Sequence, residues 1–464
     1  MMTFDPQQIE ALRTRLQGKV LLPADEEYER ARQTWDTKTF DQHPAIIVLP
    51  TVASDVQAAV TFAREYDLPI AVQGGGHGHP HPADNALLIN FANMINVQID
   101  GEAATARVEP GVLLNALVKA AHAHGLAPLN GFAATVGVVG YMLGGGIGWL
   151  ARQYGSGAGS IRSVEMVTAD GDLFQANEST HPDLFWGLRG GGGNFGIITA
   201  LECALYPVHE IFAGQVVYPI EQGKEVLSAY LKWAETVPDK LTSALRIMHF
   251  PASPALPPAI SGKSAILVMA CYNGEAAKGE TLLSPMRTLG TVLLDTFALI
   301  PYSQVATISN DPDDAAPLFL YNDSSAFQAF APKDIDTLLN IAGKRPSGIF
   351  QVEIRQLGGA LAHQPEDAMA FNCRHANFYV NIMATALSPD QLEQGKQSID
   401  MIMQTLRPDL TGETLINFLD VDTVGPYLTQ AAYTPATYSR LRKLKEQYDA
   451  KNVFRFNHNI PEPS

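Results

Sequence analysis

Ile70-Ala71-Val72-Gln73-Gly74-Gly75-Gly76-His77-Gly78-His79 is the segment on which the architecture hangs. Ile70-Ala71-Val72 is a short apolar run that predicts a buried strand, and it leads directly into three successive glycines. Without Cβ atoms, consecutive backbone N–H groups can turn inward and form a concavity for an anion, most often a diphosphate. His77 stands at the lip of that loop, where an imidazole reaches whatever the diphosphate carries. Taken alone, Gly-Gly-Gly-His is a common turn followed by an inert histidine, so its weight comes from the stretches around it.

Upstream, Ile46–Leu49 reads as a strand. Ser54-Asp55-Val56-Gln57 has the pattern of a capping box opening a helix with apolar positions at Val56, Ala59, Val60 and Ala63. With the strand at 70–72 this makes a strand–helix–strand unit. Downstream, strands fit at 86–90 and 105–109, a helix at 112–124, and a hairpin at 161–176 turned by Asp170-Gly171. A short helix at 182–189 and an apolar strand at 197–206 close this half. The second half carries strands at 242–250, 264–272, 291–299, 349–356 and 376–385, and helices at 223–236, 275–289 and 389–406. Residues 250–262, rich in Pro, Ala and Ser, mark a surface excursion. This alternation predicts a mostly antiparallel sheet with helices on one face, hence an α+β chain. The tail reads as a strand at 414–420, a helix at 434–448 and a last extended piece.

At 464 residues the chain suggests two domains, each with its own core. A formal charge of −16 argues against nucleic acid and against anionic membrane surfaces as partners. It also implies that a bound diphosphate is held by backbone N–H groups. Cys203, Cys271 and Cys373 have no metal-binding spacing and read as reduced core thiols. The start of the chain lacks a basic and apolar leader, and no apolar run is long enough for a membrane helix, so a soluble cytoplasmic protein is expected.

Two further glycine clusters follow. Gly137 through Gly148 places glycine sets on either side of small apolar residues, a pattern that lets backbone lie flat against a planar ligand. The bland alternative is a tightly packed turn. Arg189-Gly190-Gly191-Gly192-Gly193-Asn194-Phe195-Gly196 contains G-x-G-x-x-G, but a helix precedes it and β-rich Ile197-Ile198-Thr199 follows, so the dinucleotide fingerprint fails. Gly262-Lys263-Ser264 resembles the end of a P-loop, yet Pro257 stands where its first glycine belongs. His77, His79 and His81 alternate along one segment, but Pro80 and Pro82 interrupt it and no carboxylate-rich partner stands out, so no metal is expected.

Taken together, the stretches resemble the berberine-bridge-enzyme-like FAD-linked oxidases, in the vanillyl-alcohol-oxidase (PCMH) type of flavoprotein. The order G-G-G-H, T-V-G-V-x-G-x-x-L-G-G-G-I-G-W at 135–149, V-T-A-D-G at 167–171 and D-L-F-W-G-L-R-G-G-G-G-N-F-G-I-I-T at 183–199 carries the likeness. It closes with Tyr438-Ser439-Arg440-Leu441, Lys445, Tyr448-Asp449 and Asn452-Val453-Phe454. The resemblance implies an FAD-binding domain from residues 1–206 and a substrate-binding domain from 207–412. Residues 413–464 then return to the FAD domain. It implies FAD contacts at Gly74, Gly75, Gly76, His77, Gly78, His79, Ala134, Thr135, Val136, Gly137, Gly140, Gly144, Gly145, Gly146, Ile147, Ile198, Asn457 and Asn459. His77 matches the histidine bonded to the flavin 8α carbon, a bond that withdraws electron density and raises the potential. Three departures stand out. Ala133 occupies the position where many relatives carry a second, cysteinyl link, which points to the singly linked branch resembling 6-hydroxynicotine oxidase. Gln73 replaces an arginine, and Gly159-Ser160 replaces an Asp-Asn pair.

On the substrate side, Gln351, Glu353 and Arg355 share one face of a strand, and His375, Asn377, Tyr379 and Asn381 one face of another. Phe350, Val352, Ile354, Phe378, Val380 and Ile382 lie opposite. By resemblance the polar face roofs the flavin. The tail pair Asn417-Phe418 has phenylalanine where alcohol- and phenol-oxidising relatives often carry a tyrosine base. The expected catalytic residues are Tyr379, Glu353 and Asn417: for an alcohol substrate Tyr379 or Glu353 would replace the missing base, with His375 behind them, whereas a neutral amine needs no such base. The expected function is an FAD-dependent oxidase, a monomer or homodimer. It takes a hydride from a C–H bearing OH or N on a small organic substrate (alcohol, sugar, phenolic or cyclic amine) and passes the electrons to O2. The alternatives are a dehydrogenase using another acceptor, a degenerate non-catalytic flavin- or ligand-binding protein, and a histidine-metal hydrolase.

Overall fold

The computed structural model describes residues 4–78, 81–314, 317–344, 347–365, 367–419 and 426–461. Three sheets follow one another along the chain. The first has four strands in the order Lys19–Leu21, Ile46–Leu49, Leu87–Asn90, Ile70–Gln73. Leu87–Asn90 pairs parallel to both of its neighbours, so the strand–helix–strand unit predicted around 46–73 has a later strand inserted between its two. Helix Ala53–Glu65 makes the crossover and buries Val56, Ala59, Val60 and Ala63 as its periodicity predicts. The capping box does not form: the helix begins after Val52 with no side-chain cap. Asp55 instead turns away from the helix end and accepts hydrogen bonds from the Gln17, Gly18 and Thr51 amides and the Thr51 hydroxyl. Buried donors on the preceding loop outcompete the helix's own N–H groups for its carboxylate.

The second sheet runs Val97–Asp100, Thr105–Val108, Ile197–Ala204, Ile161–Val167, Leu173–Asn177. Gly171 closes the 161–177 hairpin at φ +86°, where glycine avoids the Cβ penalty.

The third sheet has eight strands, all antiparallel. Its main path is Leu294–Asp295, Glu210–Pro219, Ser264–Tyr272, Leu241–His249, Ile349–Gln356, Phe378–Ala386, Phe319–Phe327, and Ala298–Pro301 also pairs with Glu210–Pro219. Helices Gly223–Ala234, Pro332–Ile341 and Pro389–Leu406 cover one face, packing on Leu245, Val352, Ile354, Val380 and Ile382. The single strand expected at 291–299 is two short pieces. They break at Thr296-Phe297, whose backbone crowds Gly214 at φ +153°. Within this sheet and its helices, two strands and the helix Pro332–Ile341 are additions to the sequence reading. Glu210–Pro219 is buried on both faces and shows no alternation. Phe319–Phe327 hides behind Asn322-Asp323-Ser324-Ser325, a turn-like composition.

The tail turns back to the first two sheets. Helix Pro435–Tyr448 lays Leu441 and Leu444 in one core with Leu184 and Leu188 of helix Pro182–Leu188. Lys445, fully buried, donates to Asp449, Asn194 O and Phe454 O, and Asp449 accepts from the Val453 and Phe454 amides. Every charge in that knot has a partner, the condition for burying it. The strand expected at 414–420 is instead a 3-10 turn, Ile416–Phe418. Among the described residues no helix is long and apolar enough to cross a membrane.

Candidate functional site

The first two glycine clusters meet. A Cβ on Gly75 would lie 2.7 Å from the Gly137 nitrogen, and one on Gly74 2.8 Å from Pro110 O. Only glycine lets the loop after Ile70–Gln73 lie against the turn that opens helix Val138–Leu143. Gly76 turns at φ +68° and its carbonyl accepts the Trp35 amide at 2.7 Å. Trp35 then stacks on His77, rings 4.6 Å apart and 18° from parallel. The His77 Nε2 is sealed from solvent and has no hydrogen-bond partner among the described residues. Burial holds the imidazole below its usual range, with Asp311 pulling the other way.

Gln73 is buried and used locally. It donates to Gln33 O at 2.9 Å and accepts from Gln42 at 3.1 Å, tying the glycine loop to the segment that carries Trp35.

Along the second cluster, the Ala134 and Val136 carbonyls accept the Asn115 and Leu114 amides, which fixes the backbone of 134–136, while Thr135 Oγ1 is sealed with no partner among the described residues. Gly144, Gly145 and Gly146 admit close neighbours. A Cβ on them would stand 1.6 Å from Asn417 Oδ1, 2.2 Å from the Phe371 ring and 2.7 Å from the Tyr141 ring. Gly78 and Gly140 differ, because a Cβ there would meet nothing within 4 Å. From the tail, Asn457 donates to Gly193 O at 3.1 Å, and the Oδ1 atoms of Asn457 and Asn459 are sealed with no partner among the described residues. Ile198 is buried in strand Ile197–Ala204. His79 lies outside the described residues. Sealed polar atoms on His77, Thr135, Asn457 and Asn459, with glycines facing open space, suit a large polar ligand with many acceptors and donors, which is what FAD is. Among the described residues no group of three His, Cys, Asp or Glu is placed to hold a metal.

Across from these loops stands the polar face of the eight-stranded sheet. Arg246, Glu353, Asn381 and Ser324 lie side by side on four adjacent strands, and Arg355 pairs with Tyr379 one step along. Glu353, 1% exposed, receives Arg246 Nε at 2.6 Å on one oxygen and Arg355 Nε on the other. Burial raises its carboxyl, but the Arg246 and Arg355 guanidiniums outweigh burial and hold it below the usual range. Arg246 also pairs with Asp311 at 2.7 Å. Tyr379 shares hydrogen bonds with Ser324 at 2.8 Å and Thr414 at 3.3 Å and accepts the Leu415 amide. Burial pushes its hydroxyl up to about 12.

The tail turn fits between the two halves. Asn417 Nδ2 donates to Tyr141 O at 2.9 Å, and Phe418 O accepts from Asn322 and Ser324. The Phe418 ring lies 5.2 Å from that of Tyr379. Tyr379, Glu353 and Asn417 are thus brought to one place. His375 and Asn377 are not: both precede strand Phe378–Ala386 and are exposed, because pairing with Phe319–Phe327 starts only at Phe378. Sequence reading also missed Arg246, Asp311, Trp35 and Phe132. A lone arginine inside the apolar run Leu241–His249 was a usable signal, since a buried guanidinium needs carboxylates nearby. Nothing in the sequence marks Trp35.

Comparison with known proteins agrees with this geometry. Residues 44–177 match the model of an FAD binding domain, and residues 414–461 that of berberine and berberine-like proteins. An FAD-linked oxidoreductase of Dictyostelium discoideum is 28% identical over 96% of this chain and 95% of its own. The (R)-6-hydroxynicotine oxidase of Paenarthrobacter nicotinovorans is 28% identical over 97% of this chain and 98% of its own. The crystal structure of 6-hydroxy-D-nicotine oxidase from Arthrobacter nicotinovorans superposes with a TM-score of 0.84 at 24% identity, covering 96% of this chain and 98% of that one. At that identity the likeness speaks for the fold.

Proposed function

We propose that this chain, in which residues 44–177 match an FAD binding domain and residues 414–461 match berberine-like proteins on a PCMH-type FAD-binding fold, is a berberine-bridge-enzyme-like FAD-linked oxidoreductase with the following activity. It is an oxidase that removes a hydride from a C–H bearing OH or N on a small organic molecule and delivers the electrons to O2. The observation that carries this reading is the seam where Gly75 meets Gly137, with the sealed Nε2 of His77 beside it and the charged sheet face across from it.

Bound FAD would supply the hydride acceptor and the redox couple, linked once, through His77. Residues 1–206 and 413–464 form the cofactor-binding part and 207–412 the substrate-binding part. The Gly74–Gly78 loop offers backbone amides to the diphosphate. Trp35 holds the imidazole plane of His77 by stacking. Thr135, Asn457 and Asn459 supply polar atoms that have no partner among the described residues. Asn417 fixes the second glycine cluster through Tyr141 O, and the Phe418 ring packs against Tyr379 and under the Arg355 guanidinium.

Proton handling narrows the substrate. Glu353 is ionised but made a weak base by its two guanidiniums, and Tyr379 stays protonated at neutral pH. Neither is a strong acceptor for an alcohol proton. The fit is with a neutral amine, whose lone pair assists hydride loss, or with a hydroxyl already ionised on binding.

Anaerobic mixing with alcohols, sugars, phenols and cyclic amines tests this reading. At least one class should bleach the yellow absorbance and restore it on admitting air. A yellow protein that none bleaches would contradict it.

A further inference from the structure

We infer that Arg355 forms an anion-binding subsite on the substrate face, made for a carboxylate or phenolate oxygen of the molecule oxidised. The inference deepens the oxidase reading above and rests on it. It arises from an unequal sharing of charge along the buried chain Arg355–Glu353–Arg246–Asp311. Arg246, with a side chain only 2% exposed, takes both oxygens of Asp311, at 2.7 and 3.3 Å, and one oxygen of Glu353. Its charge is met. Arg355 has only the remaining oxygen of Glu353, through Nε.

The rest of the Arg355 guanidinium is fixed in place with no second carboxylate hydrogen-bonded to it among the described residues. Its carbon lies 3.9 Å from the centroid of the Phe132 ring and 4.7 Å from that of Phe418. Phe132 is itself stacked on Trp149, at 3.8 Å and 1°. Nη1 is 3.4 Å from Ile147 O, next to the second glycine cluster. Nη2 has no hydrogen-bond partner among the described residues, in a side chain that keeps 12% of its surface exposed.

A guanidinium held this way has its plane set by aromatic neighbours and one edge left to offer. That is the geometry that takes a carboxylate or phenolate oxygen, and in a water-poor setting such charge-assisted bonds are the strong ones. The same edge repels an ammonium group. A purely structural Arg355, serving only to balance Glu353, would have no preference among ligands of equal shape.

Isothermal titration of the purified holoenzyme with benzoate, benzamide and benzylammonium separates the two, and its heat signal does not depend on the flavin. At low salt benzoate should bind about tenfold or more tighter than benzamide, the ratio for one charge-assisted hydrogen bond, and benzylammonium weakest. Arg355→Gln should abolish the benzoate advantage and Arg355→Lys should keep part of it. Equal binding of benzoate and benzamide by the unaltered protein, or a benzoate advantage surviving in Arg355→Gln, would overturn the subsite. The unaltered protein's ranking decides even if the glutamine variant fails to fold. A protein that ranks the ligands as expected but is never bleached by any substrate would refute the oxidase reading and leave the anion site standing.

Discussion

Gly75 and Gly137 lie backbone against backbone: a Cβ on the first would stand 2.7 Å from the nitrogen of the second, and one on the second 2.8 Å from the nitrogen of the first. No rotamer relieves a contact between a Cβ and main chain, so Gly75→Ala must push the two loops apart. The expected outcome is protein with little or no bound flavin and a lowered thermal midpoint.

Gly140→Ala separates cofactor contact from folding. It lies inside helix Val138–Leu143, and its new Cβ would meet no protein atom within 4 Å. Alanine in a helix gains up to about 1 kcal/mol over glycine. If the cofactor lies against this turn, the flavin-free variant melts higher than the flavin-free parent while its flavin content falls. A rise in both would mean that the helix faces away from the cofactor.

Much of this was readable in advance, and the failures have physical causes. Strands such as Ile46–Leu49 and Ile70–Gln73 announce themselves because local β-propensity, burial and flanking turns agree. Phe319–Phe327 was invisible because its Asn322 and Ser324 are turn-formers by composition yet hold Phe418 O over the site. Functional polarity on a sheet face looks like a loop. The alternation around Glu353 correctly separated the helix-covered face from the polar one, but extending it back to His375 ran past the end of pairing. Contacts such as Trp35 on His77 are tertiary and leave no trace in local pattern.

Glu353 links stability to pH. Its carboxyl sits below the ordinary 4.5 in the folded chain, so its stabilisation is complete above about 4.5 and is lost as pH falls through the lower folded value. Glu353→Gln leaves Arg355 without its carboxylate in a buried setting, a change that costs roughly 3–5 kcal/mol. The thermal midpoint of the variant should be lower at pH 7 and should fall less steeply than the parent's between pH 5 and about 3. Parallel curves would show that the carboxylate is not the ionised partner described.

Lys445 and Asp449 clamp the returning tail to the third glycine cluster through Asn194 O. Lys445→Met strands a buried carboxylate and should destabilise the protein by roughly 3–5 kcal/mol. Limited proteolysis should then cut within residues 414–461 earlier than in the parent.

Val136 sits in the backbone held by Leu114, one residue before Gly137 at the seam. Acceptance of electrons by O2 needs close approach, so Val136→Leu should slow reoxidation of the reduced enzyme in stopped flow several-fold. Its anaerobic reduction by substrate should change little. Equal slowing of both half-reactions would argue that the residue governs substrate placement, not O2.

The most direct test of the account is acid precipitation followed by peptide mass spectrometry. The pellet should stay yellow, with one flavin adduct on the peptide that carries His77 and none on Cys203, Cys271 or Cys373; Trp35→Ala, which removes the stacked indole, should leave part of the flavin in the supernatant. A colourless pellet from the unaltered protein, or an adduct on any other residue, would contradict it.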